Sequence, residues 1–218
     1  MNLSRIYEYR FLNTPDTKKN VVWKEICNWL YNGYLNKPKV VLDPAGGKCE
    51  FINNIAAEEK WAIDIEKDFI SKYADKNVKI VVGNNLNVDL PDDHFDGVFI
   101  SNFLEHLTTQ EEVATLLEKM YKAMKKGGRI VIMGPNFRHC AADYFDYADH
   151  TVILSEGGVA EHLYGAGFNL VKIIDKFLPM SFRAGGKLPV TPFTVRTYLH
   201  MPLAWRFMGT QFLVVGEK

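Results

Sequence analysis

The residues with the clearest potential for chemistry are acids and amides that follow short apolar segments. Asp43 ends one such segment and precedes a turn that contains Gly46 and Gly47. Asp64 ends a second apolar segment, and Asn84 follows a third. If these segments are parallel strands, the three positions share one edge of a sheet, where glycines let a ligand approach the backbone and an acid can accept hydrogen bonds from it. This pattern predicts a cofactor site.

A regular alternation of strands and helices is expected to position these residues. The apolar runs predict strands at 39–42, 61–65, 78–82, 97–101, 129–133, 170–177 and 211–215, with helices at 50–59 and 155–164 between them. A first helix is expected to begin at Thr14-Pro15-Asp16 and to end at Gly33. Alternating strands and helices favour parallel pairing with right-handed crossovers. The predicted fold class is therefore α/β, a Rossmann-like doubly wound sheet, mostly parallel with an antiparallel last strand and helices on both faces.

The segment after the fourth strand carries helix signals of its own. Thr108 and Glu111 have the spacing of a capping box, which predicts a helix start. The buried face of this helix is expected to hold Val113, Leu116, Leu117, Met120 and Met124. Gly127-Gly128 are expected to end it. The segment 137–150, which is rich in His, Asp and Tyr, is expected to be a loop.

Length and cysteine content limit the possible organisation. The 218 residues are enough for one domain with a substantial core. We expect a single domain over 1–218, with an N-terminal helical cap at 1–37 and an insert or lid at 178–210. The three cysteines match no metal-binding or redox spacing, so no metal site is predicted and a reduced, cytoplasmic compartment is favoured. The sequence shows no signal peptide and no apolar run long enough to span a membrane.

The turn after the first strand separates two classes of cofactor. A dinucleotide site would require the pattern G-x-G-x-x-G, whereas this turn has no glycine at the position where helix and strand pack closely. Asp43 before the turn would repel a pyrophosphate and attract a ligand that carries an ammonium and a sulfonium. A nicotinamide-dependent oxidoreductase is therefore the less favoured alternative.

Five motifs in order then resemble the class I S-adenosylmethionine-dependent methyltransferases, in particular the type 11 methyltransferase-domain group. VLDPAGGKCEF is similar to the loop V-L-D-x-G-x-G-x-G of that group, and AIDIE to the acidic end of its second strand. LPDDHFDGVFISNFLEHL resembles its signature around the fourth strand, and KKGGRIVIMGPN its entry to the fifth. DHTVILSE with GAGF resembles a later element. The resemblance covers about residues 40–218 and implies S-adenosyl-L-methionine as cofactor.

The resemblance also implies roles for individual residues. Asp43 would face the ammonium of the cofactor, and Gly46 and Gly47 would let the backbone approach its methionine and ribose. Asp64 would accept hydrogen bonds from the ribose hydroxyls, and Ile65 would pack on the adenine. The remaining expected contacts come from Asn84 at the adenine amino group, its neighbours Asn85 and Leu86, and Ser101 and Asn102 beside the methionine and the reacting methyl group.

The loop departs from the group at two positions. Ala45 and Cys49 stand where the first and third loop glycines are usual. Ala45 is a modest change if its φ is negative, whereas Cys49 adds volume where helix and cofactor come close. These departures leave open the alternative of a non-catalytic protein that binds S-adenosylmethionine or S-adenosylhomocysteine.

The expected reaction is methyl transfer to a small molecule or glycan, most simply to a hydroxyl oxygen. A hydroxyl acceptor requires a base, and histidine is the usual one near neutral pH. His106, His139 and His150 are the candidates, because all three follow the ends of the fourth and fifth strands. A structural role in packing or loop anchoring is the alternative for each.

The charge distribution bears on the acceptor. Lys+Arg and Asp+Glu are both 26, so the overall charge gives no sign of a nucleic-acid partner. The basic residues of the segment 176–218 are Lys176, Arg183, Lys187, Arg196, Arg206 and Lys218. Aromatic residues, among them Phe182 and Phe193, interleave with them. This favours a substrate wall for a phosphate- or lipid-linked acceptor; in the alternative, the aromatic residues cover the sheet edge and the cations are solvated.

Overall fold

The computed structural model describes residues 5, 6, 9, 16–179 and 190–218, and a seven-stranded mixed sheet lies at its centre. Its strands are β1 (Val40–Asp43), β2 (Glu59–Asp64), β3 (Val78–Val82), β4 (Phe95–Ser101), β5 (Met124–Pro135), β6 (Asn169–Ile174) and β7 (Gln211–Glu217). The strand order is β3-β2-β1-β4-β5-β7-β6. The first five strands pair in parallel, and β7 is antiparallel to both β5 and β6. The predicted fold class is confirmed.

Helices cover both faces of the sheet. They are α1 (Asp16–Gly33), α2 (Glu50–Asn54), α3 (Lys67–Tyr73), α4 (Gln110–Ala123), α5 (Phe137–Tyr144), α6 (Glu156–Gly165), α7 (Pro192–Leu199) and α8 (Pro202–Met208), with a 3-10 turn at Leu104–His106. Because successive strand residues point to opposite faces, Leu42 packs in one apolar cluster with α4 and α6. Its neighbour Val41 packs in another cluster with α1, α2 and α3.

Helix α4 starts and ends at residues other than those predicted. Its N-cap is Thr109, whose side chain accepts the amide of Glu112 at 3.1 Å, so the predicted Thr108–Glu111 box was wrong by one residue. The helix ends at Ala123, because Met124 takes extended geometry and pairs with Phe95 at the start of β5. The predicted end at Gly127-Gly128 was therefore wrong, since sheet pairing there outweighs helix propensity.

Two further boundaries differ from the expectation. The helix predicted at 50–59 ends at Asn54, because Glu59 already pairs with Val40 in the sheet. The segment 137–150, predicted as a loop, contains α5, which Asn136 caps by accepting the amide of Arg138 at 3.2 Å. The buried side chains of Cys140 and Tyr144 lie four residues apart on this helix. The backbone is kinked at Cys140 (φ −138°, ψ 27°), so α5 consists of two short helical turns.

The segment between β6 and β7 packs against the first helix. Arg196 of α7 binds Glu25 of α1 with two hydrogen bonds of 2.9 Å. The ring of Trp29 stacks on Phe177 with centroids 4.9 Å apart. The predicted start at Thr14-Pro15 and the residues Phe182, Arg183 and Lys187 lie outside the described residues. The division into cap, domain and lid stays a prediction, and no helix of the described part is long and apolar enough to cross a bilayer.

Candidate functional site

The turn after β1 is tied to the end of β2 by backbone hydrogen bonds. The amide of Gly46 donates to the carbonyl of Ile63 at 2.9 Å, and the amide of Gly47 donates to Oδ2 of Asp64 at 3.0 Å. Oδ1 of Asp43 accepts the amide of Ala45 at 3.1 Å. The two predicted acidic residues are therefore fixed on either side of one small-residue turn.

Both glycines of this turn are required by the local geometry. A Cβ atom at Gly46 would lie 3.1 Å from Cβ of Ala62 and 3.1 Å from Cδ1 of Ile70. Gly47 has a φ of 49°, in the left-handed region that glycine adopts at least cost. The turn after β1 thus packs directly on the side chains of Ala62 in β2 and Ile70 in α3.

Asp64 is partly buried at the end of β2. Its Oδ1 accepts the amide of Glu66 at 2.9 Å, while Oδ2 accepts the amide of Gly47. Burial raises the pKa of this carboxyl, and the two amide hydrogen bonds offset part of the shift. Ile65 follows directly and is 61% exposed, so an apolar surface lies beside the carboxylate. The pair can hold a ligand with both hydroxyls and a flat apolar ring.

Asp43 has a different environment, since only 6% of it is exposed. The pKa of its carboxyl is raised to about 7, chiefly by burial and also by the charges of Asp64 and Glu50, against the lowering effect of the hydrogen bond from Ala45. A carboxyl with this pKa is close to half-ionised at neutral pH. A cationic group bound nearby would favour its charged form.

The turn after β3 joins the same edge. The amide of Gly83 donates to the carbonyl of Asp64 at 2.9 Å, and Oδ1 of Asn84 accepts the amide of Leu86 at 2.9 Å. Asn85 is buried and its Nδ2 donates to the carbonyl of Pro44 at 3.1 Å. Asn85 therefore fastens this turn to the turn after β1, and one lone pair of the Asn84 amide oxygen is already in use.

Ser101 and Asn102 lie at the end of β4, the strand next to β1. Asn102 has a φ of 48°, and its amide donates to the carbonyl of Met133 at 2.8 Å. Its Nδ2 donates to Oγ of Ser101 at 3.0 Å. The chain turns sharply here, and a polar pair faces the carboxyl edge of the sheet.

The two departures in the loop are accommodated differently. Ala45 is not among the described residues with positive φ, so an alanine fits this loop position without backbone strain. Cys49 has a φ of 58° and is fully buried, and burial raises the pKa of its thiol to about 12. Its side chain packs in the apolar cluster under α2, away from solvent. The thiol is a core group in this structure.

The structure brings two of the three candidate histidines together. The rings of His106 and His150 lie 4.9 Å apart, edge to face. His139 lies elsewhere, with Nε2 at 3.6 Å from Oδ2 of Asp175. Glu105 and Asp149, which adjoin the two histidines and are 2% and 5% exposed, were not among the predicted site residues. Acids next to both histidines in the sequence were the available signal.

Comparisons with known proteins support the predicted class, S-adenosylmethionine-dependent methyltransferase, and the predicted cofactor. Residues 42–132 match the family described as "Methyltransferase domain". A curated relative, the demethylmenaquinone methyltransferase of Geobacillus sp. (strain WCH70), is 26% identical over 143 residues. That match covers 59% of this chain and 59% of the relative, so the chain spans about three fifths of the relative's length.

Solved structures show the same fold over almost the whole chain. A SAM-dependent methyltransferase from Archaeoglobus fulgidus is 22% identical and has a TM-score of 0.69, with 99% of each chain covered. The [4+2]-cyclase SpnF is 13% identical with a TM-score of 0.62, over 89% of this chain and 81% of that one. The likeness at this identity concerns the fold alone.

Proposed function

We propose that the protein transfers a methyl group from S-adenosylmethionine to a hydroxyl oxygen of a small molecule or glycan. The observation that carries the proposal is the convergence of three strand ends on Asp64. The side-chain carboxylate of Asp64 accepts the amide of Gly47 in the turn after β1. The main-chain carbonyl of Asp64 accepts the amide of Gly83 in the turn after β3. A cofactor bound across these turns would contact the carboxylate of Asp64, the exposed side chain of Ile65 and the backbone of both turns.

Each cofactor-facing residue has a distinct task in this proposal. Asp64 accepts hydrogen bonds from the ribose hydroxyls, and the exposed Ile65 packs against the adenine. Asp43 acts as the counter-charge for the ammonium, with the buried carboxyl ionised by that neighbour. Ser101 and Asn102 line the methionine end. The bound cofactor supplies an electrophilic methyl group, and the protein orients it and excludes water.

The acceptor hydroxyl is assigned to the side where Glu105, His106 and His150 meet. Glu105 and His106 follow the end of β4 just after Ser101 and Asn102, beside the methionine end of the proposed cofactor site, and the ring of His150 packs on that of His106. His106 suits the role of base because a buried carboxylate lies beside its ring, with Nδ1 at 3.3 Å from Oδ2 of Asp149. His139 faces a largely exposed acid instead.

An acceptor with an apolar or lipid-linked part fits the surface of helices α7 and α8, which lie between β6 and β7 in the chain. Phe193 of α7 and Leu203 and Phe207 of α8 are 77%, 63% and 83% exposed, and Arg206, next to Phe207 in the chain, is exposed as well. Exposed aromatic and aliphatic side chains next to a cation suit an acceptor that is apolar at one end and anionic at another. The name of the Geobacillus relative, which refers to demethylmenaquinone, supports an apolar acceptor as well.

Calorimetry tests the cofactor part of the proposal. We expect S-adenosylmethionine and S-adenosylhomocysteine to bind the wild-type protein and NAD not to bind. The Asp64→Ala variant should bind both adenosyl ligands at least roughly tenfold more weakly, because two ribose hydrogen bonds are lost. The Asp68→Ala variant, which removes an acid from α3 outside the site, is the control. Unchanged affinity in Asp64→Ala would refute the ribose assignment.

Transfer of a labelled methyl group to panels of hydroxylated sugars, lipids and amines tests the reaction. Label in a hydroxyl compound supports the proposal, and label in amines alone contradicts the assignment to oxygen. Adenosyl-ligand binding with no transfer to any compound of the panels would favour the non-catalytic alternative.

A further inference from the structure

We propose that Glu105, His106 and His150 form a binding site for a divalent transition-metal cation. The sequence predicted no metal site, because the cysteines have no metal spacing and 44 positions separate the two histidines. In the folded chain one potential ligand atom from each of the three residues lies within 4.8 Å of the others. The cation binding stands on this geometry, and its role in catalysis rests on the proposed function.

The spacing of the three groups is close to that of a coordination shell. Ligands about 2.1 Å from an ion lie within roughly 4.2 Å of one another. Side-chain rotations that bring the atoms together by roughly 0.6 Å would therefore complete the shell. Glu105 and His150 are 2% and 8% exposed, which distinguishes this cluster from the exposed acidic groups that are common at protein surfaces.

The backbone holds the two halves of the cluster in register. Glu105 and His106 lie in the 3-10 turn that follows β4, and His150 lies in the segment after α5. The carbonyl of Glu105 accepts the amides of Thr151 at 2.9 Å and Val152 at 3.2 Å. The next residues after His150 are thus tied directly to Glu105, and the two histidines meet because of these bonds.

Neighbouring groups orient both imidazole rings. Nδ1 of His106 lies 3.1 Å from the carbonyl oxygen and 3.3 Å from Oδ2 of Asp149, which leaves Nε2 as the nitrogen directed at the ion. A carboxylate behind a histidine in this way is the usual second contact of a metal-binding imidazole. The ring of His150 stacks on Tyr147, with centroids 4.8 Å apart and an angle of 15°.

The charge of the cluster favours a cation. Glu105 and Asp149 are 2% and 5% exposed, and buried carboxylates favour a cation among their partners. A divalent cation bound by Glu105 would bring positive charge to both carboxylates.

The donor set selects the kind of metal and of ligand. Two imidazole nitrogens and one carboxylate suit Mn²⁺, Fe²⁺, Co²⁺ or Zn²⁺, whereas Mg²⁺ and Ca²⁺ prefer oxygen alone. Three protein ligands leave coordination positions for the oxygen of an acceptor. A bound hydroxyl has a lowered pKa. Because Nε2 of His106 would then hold the ion, the ion would replace a histidine base: the proton of the acceptor would pass to water while the O–CH₃ bond forms and the S–CH₃ bond breaks, which would yield the methyl ether and S-adenosylhomocysteine.

Titration of metal-stripped protein with Co²⁺ tests the site without any acceptor. We expect visible d–d absorption that saturates at one equivalent, and displacement of Co²⁺ by Zn²⁺. The His106→Ala, His150→Ala and Glu105→Gln variants should each bind Co²⁺ at least roughly tenfold more weakly. The His200→Ala variant, which removes an exposed histidine of the segment after α7, is the matched control and should titrate like wild type.

Circular dichroism and thermal melting accompany each titration, so that only folded variants are compared. Absence of saturable Co²⁺ absorption in the folded wild type up to about 1 mM Co²⁺ overturns the proposal without reference to any variant. Wild-type affinity retained in both folded histidine variants also overturns it. Cofactor affinity measured on the same samples is independent of the metal, so failure of this site and failure of the methyltransferase assignment give different results.

Discussion

Folding and cofactor binding favour opposite protonation states of Asp43: burial favours the neutral acid, whereas a bound ammonium group favours the carboxylate. Only 6% of Asp43 is exposed, and burial raises the pKa of its carboxyl to about 7. In the unfolded chain the same group titrates near 3.9. Between these values the native state binds more protons than the unfolded state. The free energy of unfolding contributed by this group therefore falls as the pH rises towards 7.

The Asp43→Asn variant should remove this pH dependence. Between about pH 5 and about pH 8, the unfolding free energy of the ligand-free wild type should fall by roughly 1–3 kcal/mol relative to the variant. Denaturant titrations at several pH values measure the difference. The same variant should bind S-adenosylmethionine more weakly at about pH 8, because the counter-charge for the ammonium is gone. If the unfolding free energies of the two proteins changed with pH in the same way, the raised pKa of Asp43 would be contradicted.

The sequence predicted one part of the site much better than the other. Asp43, Gly46, Gly47 and Asp64 are found by local pattern, because each follows its own strand by a fixed short spacing. Their assignment to the cofactor remains a prediction. The meeting of His106 with His150 depends on hydrogen bonds between residues more than 40 positions apart, and no local pattern encodes such a contact. The sequence alone therefore offered no reason to prefer one of the three histidines as the base.

At the scale of elements, strand positions were predicted better than helix boundaries. β3 was predicted to the residue, since an apolar run of fixed length defines it. The end of α4 was not, because Met124 continues the apolar helical pattern and yet pairs with Phe95. Helix α5 was missed for the opposite reason. It is only eight residues long and is kinked at Cys140, so it shows no continuous helical periodicity in the sequence.

The packing of the turn after β1 against α3 gives a prediction at the same scale. In the Gly46→Ala variant the new Cβ would lie 3.1 Å from Cδ1 of Ile70. We expect the unfolding free energy to fall by roughly 1–3 kcal/mol. Because Ile70→Val removes the crowded methyl group, the double variant should lose less than the sum of the two single changes.

Chemical denaturation of the two single variants and the double variant measures this coupling. The Gly165→Ala variant is the control, since a Cβ there meets nothing within 4 Å, and it should be neutral or slightly stabilised. Additive losses in the double variant would show that Ile70 does not limit the space at Gly46.

For the whole molecule, bound cofactor should appear as increased thermal stability. S-adenosylhomocysteine at about 100 times its Kd adds roughly 2.7 kcal/mol to the folded state. For a chain of this size, that corresponds to a rise in Tm of roughly 5–11 °C. Differential scanning calorimetry at rising ligand concentration measures it. The Asp64→Ala variant should need a correspondingly higher concentration for the same rise, and an equal rise at equal concentration would contradict the assigned site.

The position of β7 has a consequence for the way the chain is made. β7 lies between β5 and β6 in the sheet but follows both in chain order, with residues 175–210 between β6 and β7. In the described part of the chain, β6 pairs with β7 alone. A ribosome adding 5–20 residues per second therefore leaves β6 without its partner, and β5 with an open edge, for roughly 2–7 s. During that interval the nascent sheet offers a template to other chains, and a chaperone that covers the edge of β5 would act then.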